Sequence, residues 1–521
     1  MIGERKRAPA GEIAALAALL VLTAAISLVW SHVKLLSQDE FFVLQTDSVR
    51  SVGELVHIQR TYPISLDPLV YHLLAHACTK IFGPSALALR IPSICGFLLM
   101  QLCVFFIVRR IAGGRAGLIA AAFPAFTATL FYAPEARPYG LLLGFYALTL
   151  LAWQSATREE SHNPQRSRRG VLILLAVAIG LTLNTHYFGI LLLVPLCAAE
   201  LARTILRRRI DVPVIASIAA GIACFSFTIP FQHAATEFRQ HYYNAGEVSL
   251  HAMTQAYRSL FVDYVEESIR TQQIADVLLV IFAISLIALC ARRIRRREVT
   301  LPVAELVFLA TLAALPIFGF FLALFVTHSI EVRYVLGAII AIAAFFAIAV
   351  APLARKRVLG DAAVLLCMLA VLLGGMLRIT AQNAKSRQYL ADLILPPAVR
   401  ARLLALPDAH LYIQDMGHFE VDSFYEPDPE VRSRMALLYS RDQELKWDLH
   451  DTASLTAMHM QHFTGFTIMS WEQLQQQPGD HLLVLYHSGW DWTDGALANS
   501  NADVTQLGSA LEGDAVAVRF R

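Results

Sequence analysis

The chain has 521 residues, of which 56% are hydrophobic and 16% charged, and its formal net charge is +2 at pH 7. Soluble domains carry about 25% charged residues, so this composition excludes an ordinary soluble protein and indicates an integral membrane protein. We expect no nucleic-acid partner. The near-zero net charge conceals a division: residues 1–378 hold 33 basic and 22 acidic side chains, whereas residues 379–521 hold ten basic and 19 acidic ones. This shift predicts two domains, 1–378 and 379–521.

Eleven apolar segments are long enough to cross a bilayer, because about 20 helical residues at a rise of roughly 1.5 Å span its hydrocarbon core. The first segment is too long for a signal peptide, so we interpret it as an uncleaved anchor. The sequence therefore predicts a polytopic α-helical membrane protein with about eleven transmembrane helices. The predicted spans cover residues 11–33, 87–108, 113–133, 138–155, 170–187, 189–206, 212–232, 276–293, 302–327, 334–352 and 359–378.

Clusters of Arg and Lys occupy every second connection between these spans and hold 22 of the 33 basic residues in segment 1–378. Basic loops remain in the cytoplasm. We therefore expect a multi-pass membrane protein with a cytoplasmic N-terminus and, after eleven spans, a C-terminus on the outer face. The clusters lie within residues 5–7, 109–115, 158–169, 203–209, 292–297 and 355–357.

The outer face then carries three longer segments, 34–86, 233–275 and the tail 379–521. Apolar periodicity predicts two surface helices in the first segment, at about 48–59 and 68–82. Short apolar runs bounded by Pro, Gly and Asp predict strands in the tail, which is long enough for a small α/β domain with its own core. The predicted tail elements are strands at 411–413, 482–486 and 515–520 and helices at about 388–405 and 430–445.

The seven cysteines all lie between Cys78 and Cys367, in or beside the predicted spans. Their spacing matches neither a disulfide framework nor a metal site. We therefore expect no cofactor and no metal ligand set.

Asp39 and Glu40 are adjacent carboxylates directly after the first predicted span. Neighbouring side chains diverge on a strand and lie about 100° apart on a helix, so they cannot both point at one substrate atom. One would act while the other orients it or binds a basic group. The alternative is a pair of solvated loop residues.

Glu135, Arg137 and Tyr139 lie between two predicted spans on the same outer face. Pro138 suits the first turn of the following helix. An anion there would meet both a helix N-terminus and a guanidinium. A surface ion pair that caps the span is the alternative interpretation.

His186 and Arg333 end two further connections on this face. Ionisable residues at such depths are candidates for function, although Arg333 could equally extend to lipid headgroups. Four distant loops thus bring carboxylate, His, Arg or Tyr side chains to one face. A site there would suit a lipid-borne, phosphate-containing substrate.

The run from Ser37 to Trp153, with later motifs, resembles the GT-C superfamily of glycosyltransferases that use polyprenyl-phosphate sugars. It is most similar to the bacterial branch near protein O-mannosyltransferases and the aminoarabinose and galacturonic-acid transferases of lipid A. Relatives often have His-Pro-Pro or Asp-Pro-Pro where this chain has Leu66-Asp67-Pro68, which leaves the role of Asp67 open. The matching elements are Asp39-Glu40, Pro68–Leu74, Phe82-Gly83, Ala88–Ser93, Glu135–Tyr139, His186–Gly189 and Arg333-Tyr334.

The resemblance implies an enzyme of a bacterial inner membrane, whose outer face and C-terminal domain are periplasmic. It implies transfer of a sugar from a polyprenyl-phosphate donor to a hydroxyl acceptor on this periplasmic face, with inversion. The acceptor would be a lipid, a glycan or a protein, and membrane lipids would surround the enzyme. Asp39 would be the general base and Glu40 its partner. The residues expected to bind the donor and its phosphate are Arg137, Arg333, His186, Glu135 and Tyr139.

Three alternatives remain open from the sequence. A transporter or flippase of lipid-linked sugars would show inverted repeats and broken helices. An oligosaccharyltransferase-like enzyme is suggested only by Gly489–Trp492, whose residue order fits poorly. An inactive scaffold is the third. Trp471, Trp490 and Trp492 of the tail could stack on sugar rings or form a core.

Overall fold

The computed structural model describes residues 9–158, 164–232, 236, 248–262, 269–328, 330–393, 395–405, 409–486, 492–510 and 513–521. The described chain is a bundle of apolar helices followed by a domain built on a β-sheet. The helices of the first half are α1 Ala10–Val33, α2 Gln38–Asp47, α3 Val52–Thr61, α4 Leu69–Phe82, α5 Ala86–Ala112, α6 Gly114–Phe126, α7 Tyr139–Thr157, α8 Pro164–Thr185, α9 Leu193–Arg207 and α10 Val212–Ala223.

The later helices continue the bundle and then decorate the sheet. They are α11 Leu250–Arg258, α12 Ile269–Arg295, α13 Val303–Ala313, α14 Leu315–Leu322, α15 Val332–Val335, α16 Ala338–Arg355, α17 Arg357–Asp392, α18 Pro397–Ala405, α19 Met416–Tyr425, α20 Pro429–Ser433, α21 Arg441–Trp447, α22 Thr452–Met460, α23 Trp471–Gln475 and α24 Trp492–Ala498. Short 3-10 segments cover Ala128–Tyr132, Tyr187–Leu192 and Cys224–Phe227.

Eight helical segments in the described residues are long and apolar enough to cross a membrane. A ninth span would combine Val303–Ala313 with Leu315–Val326, which meet at an angle of 54°; Pro316 lies in the first turn after the bend and lacks an N–H. The shorter apolar helices Gly114–Phe126 and Val212–Phe227 occupy the two remaining predicted spans. The predicted polytopic helical architecture is therefore confirmed, while the number of eleven spans stays a prediction.

Helices α5 and α7 approach each other closely at three glycines. A Cβ atom on Gly96 would lie 2.2 Å from the Cα of Leu141, and one on Gly144 would lie 2.5 Å from the Gly96 carbonyl oxygen. A Cβ atom on Gly140 would lie 2.5 Å from the carbonyl oxygen of Ser93. Small residues permit such contact between apolar helices. This packing fixes the N-terminal ends of both helices. Arg90 lies near the start of α5, and Arg137 lies just before α7.

The segment after α1 differs from its prediction. The surface helices expected at 68–82 and 48–59 are present as α4 and, shifted by a few residues, as α3, whereas α2 is a further helix that the apolar periodicity did not predict. Helix α2 begins at Gln38 because Ser37 and Glu40 form a capping box, in which the Glu40 carboxylate accepts the Ser37 N–H. Asp39 and Glu40 therefore lie in the first turn of a helix, and the interpretation as solvated loop residues is wrong for Glu40, which is buried.

The tail contains a six-stranded sheet of order β3-β2-β1-β4-β6-β5. Strands β1 to β4 are parallel, and β6 pairs antiparallel with β4 and β5. The predicted α/β fold and its three predicted strands are confirmed as β1, β4 and β6. The strands are β1 Leu411–Ile413, β2 Met435–Tyr439, β3 Thr467–Ser470, β4 His481–Leu485, β5 Ala502–Ala510 and β6 Gly513–Phe520.

Three tail predictions are corrected. The helix predicted at 430–445 contains strand β2, whose continuous apolar run is buried on both faces and shows no alternation. The helix predicted at 388–405 is interrupted before Pro396 and Pro397, and α17 continues through the predicted boundary at 378/379 to Asp392. The predicted boundary at 378/379 therefore lies within a helix, whose last turns contact the tail through Tyr389 and Asp422.

The tail tryptophans belong to its core where the structure describes them. Trp471 and Trp492 are 2% and 3% exposed and meet edge to face. Neither presents a ring to a sugar. Trp490 lies outside the described residues, as does much of segment 233–275.

The tail packs on the segment that follows α1. The Leu36 N–H donates to the Tyr425 hydroxyl at 3.0 Å, and His459 Nδ1 lies 2.8 Å from the Pro63 carbonyl oxygen. Ile64 is buried in the apolar core of the tail domain. The tail domain therefore forms one wall beside α2.

Cysteine labelling tests the predicted topology, which the alternating basic loops support. In a variant without native cysteines, we expect an impermeant maleimide to label Asn501→Cys on spheroplasts and to leave Thr300→Cys unlabelled until the membrane is permeabilised. Both positions are exposed. Protection of the first with labelling of the second would reverse the topology.

Candidate functional site

Four of the predicted site residues come together beside the N-terminal turn of α2. Asp39 belongs to this turn, Arg137 precedes α7, and His186 and Arg333 end two connections between apolar helices. The Asp39 Oδ2 atom lies 3.9 Å from Arg137 Nη2 and 3.5 Å from Arg333 Nη1. The Asp39 side chain is 43% exposed. The structure thus places a solvent-accessible carboxylate between two guanidinium groups.

Both guanidinium groups have unused hydrogen-bonding capacity. The Nε atoms of Arg137 and Arg333 are buried and have no hydrogen-bond partner among the described residues. Arg333 donates from Nη2 to Glu331 at 2.8 Å, and its Cζ lies 5.5 Å from the centre of the Tyr334 ring. A buried donor without a partner costs free energy. An anion entering between the two arginines could accept from both, because guanidinium groups bind oxyanions in a fork.

Asp67 completes the cluster, although the sequence left its role open. Its carboxylate lies 3.3 Å from Arg137 Nη2 and 3.5 Å from His186 Nε2. Burial raises the pKa of this carboxyl, but the nearby positive charges, that of Arg137 first, outweigh it and lower the pKa below its ordinary value. Asp67 is therefore an ionised group that holds Arg137 in place.

His186 is oriented by its own backbone. Its Nδ1 atom accepts the Phe188 N–H at 3.1 Å, which leaves the proton of a neutral imidazole on Nε2, facing Asp67. Its ring lies 5.3 Å from the Tyr139 ring. Phe188 in turn stacks on Tyr334 at 3.8 Å. Tyr139 packs on His186 and lies 5.9 Å from the Arg137 Cζ atom, so aromatic rings line the side of both arginines.

Glu40 lies in a buried ion pair and not in the open part of the site. It accepts from Arg90 Nε and Nη2, each at 2.8 Å, and from the Ala136 N–H at 2.7 Å. Burial raises the pKa of Glu40, but Lys34, Arg90 and the Ala136 hydrogen bond together lower it well below its ordinary value. Of the two roles considered from the sequence, binding a basic group is the one this geometry provides.

Arg90 connects the elements that surround Asp39. Besides Glu40, it donates to the carbonyl oxygens of Ser31, Lys34 and Leu35 at 2.7, 2.9 and 3.1 Å. These carbonyls end α1, where a helix leaves its acceptors unpaired. One guanidinium therefore joins the end of α1, the start of α2 and, through Glu40, the loop before α7.

Glu135 does not approach the arginines as an ion-pair partner. Within the described residues no ion pair joins it to Arg137, and its Oε2 atom is buried without a hydrogen-bond partner. Burial raises the pKa of Glu135, and Glu40 acts in the same direction. The alternative of an Arg137–Glu135 ion pair that caps the span is therefore wrong; Asp39 and Asp67 are the partners of Arg137.

A second buried pair was not anticipated from the sequence. His72 Nδ1 lies 2.8 Å from Asp47 Oδ1, and both side chains are fully buried. His76 Nδ1 and the Thr79 hydroxyl contact the Asp47 carbonyl oxygen at 2.9 and 3.0 Å. The only signal was the polar positions of α4, at helical spacing opposite its apolar stripe. This pair joins α2 to α4.

No group of three or more His, Cys, Asp or Glu side chains in the described part of the chain is arranged to hold a metal ion. The cluster itself offers two carboxylates, two guanidinium groups and an imidazole. Such a set binds an anion and accepts a proton.

Comparison with known proteins identifies a matching sequence family and similar folds. A family model described as dolichyl-phosphate-mannose-protein mannosyltransferase matches residues 67–231. The chain is similar in structure to ArnT from Cupriavidus metallidurans in the apo state, with a TM-score of 0.60 and 13% identity over 97% of this chain and 98% of that one. No curated protein matches the sequence.

A second structure of ArnT from Cupriavidus metallidurans, bound to undecaprenyl phosphate, has a TM-score of 0.60 and 14% identity over 98% of both chains. These likenesses establish the fold. The resemblance to the GT-C superfamily is thus confirmed at the level of fold, and the family model, which matches residues 67–231, supports a membrane glycosyltransferase.

Proposed function

We propose that this chain, which has the GT-C fold, transfers a sugar from a polyprenyl-phosphate donor to an acceptor hydroxyl, with inversion, on the periplasmic face of a bacterial inner membrane. The observation that carries the proposal is the exposed Asp39 carboxylate between Arg137 and Arg333, whose Nε atoms lack partners. The match to a mannosyltransferase family and the undecaprenyl phosphate bound to a structural neighbour support a lipid-phosphate donor.

The two arginines neutralise the leaving group. As the bond between the sugar C1 and the phosphate oxygen breaks, its electron pair goes to the polyprenyl phosphate. Preorganised cations stabilise this developing charge. Phosphate is a good leaving group without protonation, so no general acid is needed. Asp67 keeps Arg137 in position at 3.3 Å, and the neutral His186 adds a donor beside it.

Asp39 removes the proton from the acceptor hydroxyl. The acceptor oxygen forms its bond to C1 on the face opposite the departing phosphate, which inverts the configuration. Asp39 is separated from Arg137 and Arg333 by 3.9 and 3.5 Å, distances beyond a good hydrogen bond. A donor phosphate can therefore take the guanidinium groups and leave the carboxylate free to accept a proton.

Deletion of the gene tests the transfer itself. We expect membrane lipids or envelope glycans of the deletion strain to lack the mass of one sugar unit at one species. Wild-type protein should restore this mass, and the Asp39→Asn variant should not. Unchanged lipids and glycans would contradict the proposal.

Arg137→Lys tests the contact to the phosphate. If the guanidinium binds the phosphate in a fork, the lysine variant should lose nearly as much donor affinity as Arg137→Ala, because an ammonium is a point charge. Transfer assays with a synthetic polyprenyl-phosphate sugar report KM and kcat. Arg115→Lys is the control, because Arg115 is ion-paired to Asp361 away from Asp39. Wild-type donor KM and kcat in Arg137→Ala would rule out the contact.

A further inference from the structure

A cavity of about 270 Å³ lies between the membrane domain and the tail domain. One wall is the face of α2 that carries Phe41, Leu44 and Gln45, and the opposite wall is helix α19. Ligand pockets start at roughly 300 Å³, so this volume suits one small group and not a large ligand. The full lining is Phe41, Leu44, Gln45, Ser48, Pro84, Glu420, Ser423, Phe424 and Phe466.

Glu420 is the unusual member of this lining. It is 0% exposed, and in the part of the chain that the structure describes neither carboxyl oxygen has a hydrogen-bond partner. Buried carboxyl groups are ordinarily paired, and an unpaired one costs free energy. Burial raises the pKa of Glu420 well above its ordinary value, and the charges of Asp39 and Asp415 act in the same direction. A protonated carboxyl group offers one hydrogen-bond donor and one acceptor to a neutral polar group.

The cavity is placed beside the candidate site. Phe41 and Gln45 project from the same short helix as Asp39, and the first turn of α19 abuts its start, since a Cβ atom on Gly417 would lie 3.2 Å from Gln38 Oε1. Phe41 meets Phe424 edge to face at 5.3 Å. Neither of the arginines assigned to the donor lines the cavity, so it is free for a second substrate.

The lining has the composition of a carbohydrate subsite. Three phenylalanine rings offer apolar faces to the C–H groups of a sugar ring. Glu420, Gln45, Ser48 and Ser423 supply hydrogen-bonding groups around them. Negative charge at Asp39 and Asp415 disfavours an anionic occupant. An alkyl chain would leave both Glu420 carboxyl oxygens without a hydrogen-bond partner.

We propose that this cavity is the acceptor subsite, that it holds one neutral sugar ring of the acceptor, and that Glu420 hydrogen-bonds a hydroxyl of that ring. The assignment rests on the proposed function and narrows its acceptor to a glycan or glycolipid. It also gives the tail domain a task, since α19 supplies one wall of the site.

Saturation-transfer NMR with the full-length protein in nanodiscs tests the subsite. The probes are methyl glycosides of glucose, mannose, galactose and N-acetylglucosamine. We expect one of them to bind the wild type and to bind Glu420→Ala on the order of tenfold more weakly, the worth of one buried hydrogen bond. Glu420→Gln should retain part of the affinity, because an amide also donates and accepts.

Glu426→Gln is the matched control. Glu426 ends the same helix, is 4% exposed and has one buried oxygen without a partner, but it does not line the cavity. Its variant should bind the glycoside as the wild type does. Glu420→Ala should resist denaturant at least as well as the wild type, because it removes an unsatisfied buried group. Lower stability of Glu420→Ala would indicate a structural role and overturn the proposal.

Binding of undecaprenyl phosphate to the same wild-type sample separates the two proposals. A sample that binds this lipid but no glycoside overturns the subsite alone, whereas glycoside binding without lipid binding overturns the proposed donor. Equal glycoside signals from wild type and Glu420→Ala also overturn the subsite. A signal from a serine-containing peptide or an alkyl probe, lost in Glu420→Ala and without any glycoside signal, would exclude a sugar as the occupant.

Discussion

Asp39→Asn is expected to lower the turnover of sugar transfer by about 10²–10⁴-fold, the usual contribution of a positioned general base. Asparagine keeps the shape of the side chain and removes its basicity. Because Asp39 is 43% exposed and lies beyond good hydrogen-bond distance from both arginines, the variant should fold and still bind the donor. Single-turnover assays with purified, monodisperse protein measure the effect.

Glu40→Gln is the comparison for Asp39→Asn, because it changes the neighbouring carboxylate in the same way. Glu40 accepts from Arg90 and from the Ala136 N–H, so its variant should lose stability first and turnover less than Asp39→Asn does. Near-normal transfer by Asp39→Asn would refute the assignment of Asp39 as the general base, and Asp67 or Glu135 would become the candidate. Loss of turnover in a stable Glu40→Gln alone would exchange the roles of the two carboxylates.

Arg90→Met is expected to lower the free energy of unfolding by about 3–5 kcal/mol, the usual cost of removing one partner from a buried ion pair. Glu40 would remain buried with Lys34 at 3.5 Å as its nearest cation. The Ser31, Lys34 and Leu35 carbonyls would lose their donor as well. Denaturant unfolding in micelles, followed by circular dichroism, gives the difference from the wild type.

Arg115→Met serves as the control for Arg90→Met, because the Arg115–Asp361 pair is largely exposed. Its loss should change the free energy of unfolding by less than about 1 kcal/mol. Adding Glu40→Gln to Arg90→Met should recover part of the stability, since the double variant no longer buries an uncompensated charge. Equal effects of Arg90→Met and Arg115→Met would contradict the role assigned to Arg90.

The candidate site was predictable where each side chain stands at the end of an apolar helix. Asp39, Arg137, His186 and Arg333 are such residues, and their shared face followed from counting spans. Which groups pair could not be predicted. Arg137 lies by Asp39 and Asp67 and not by Glu135, because the contact depends on how α2 packs against α7 and not on spacing along the chain.

The position of Glu420 beside the candidate site was even less predictable from the sequence. It is 381 positions after Asp39 in the sequence, within a helix whose polar and apolar residues give no sign of a site. Only the packing of the tail against the segment after α1, through Tyr425 and Leu36, brings it to the wall of a cavity beside α2. Likewise β2 was predicted as part of a helix, because a strand buried on both faces lacks the alternation that marks a half-buried one.

The sequence by itself determined that this is a polytopic helical membrane protein with an α/β tail and a charged site on one face. Those properties follow from local quantities: the length of apolar runs, the placement of basic loops and the residues at helix ends. The tertiary structure alone decided that Glu40 pairs with Arg90, that Asp67 pairs with Arg137, and that the tail packs against α2 and the residues before it. These contacts join residues far apart in the chain, and burial in a shared core, which no local pattern records, selects them.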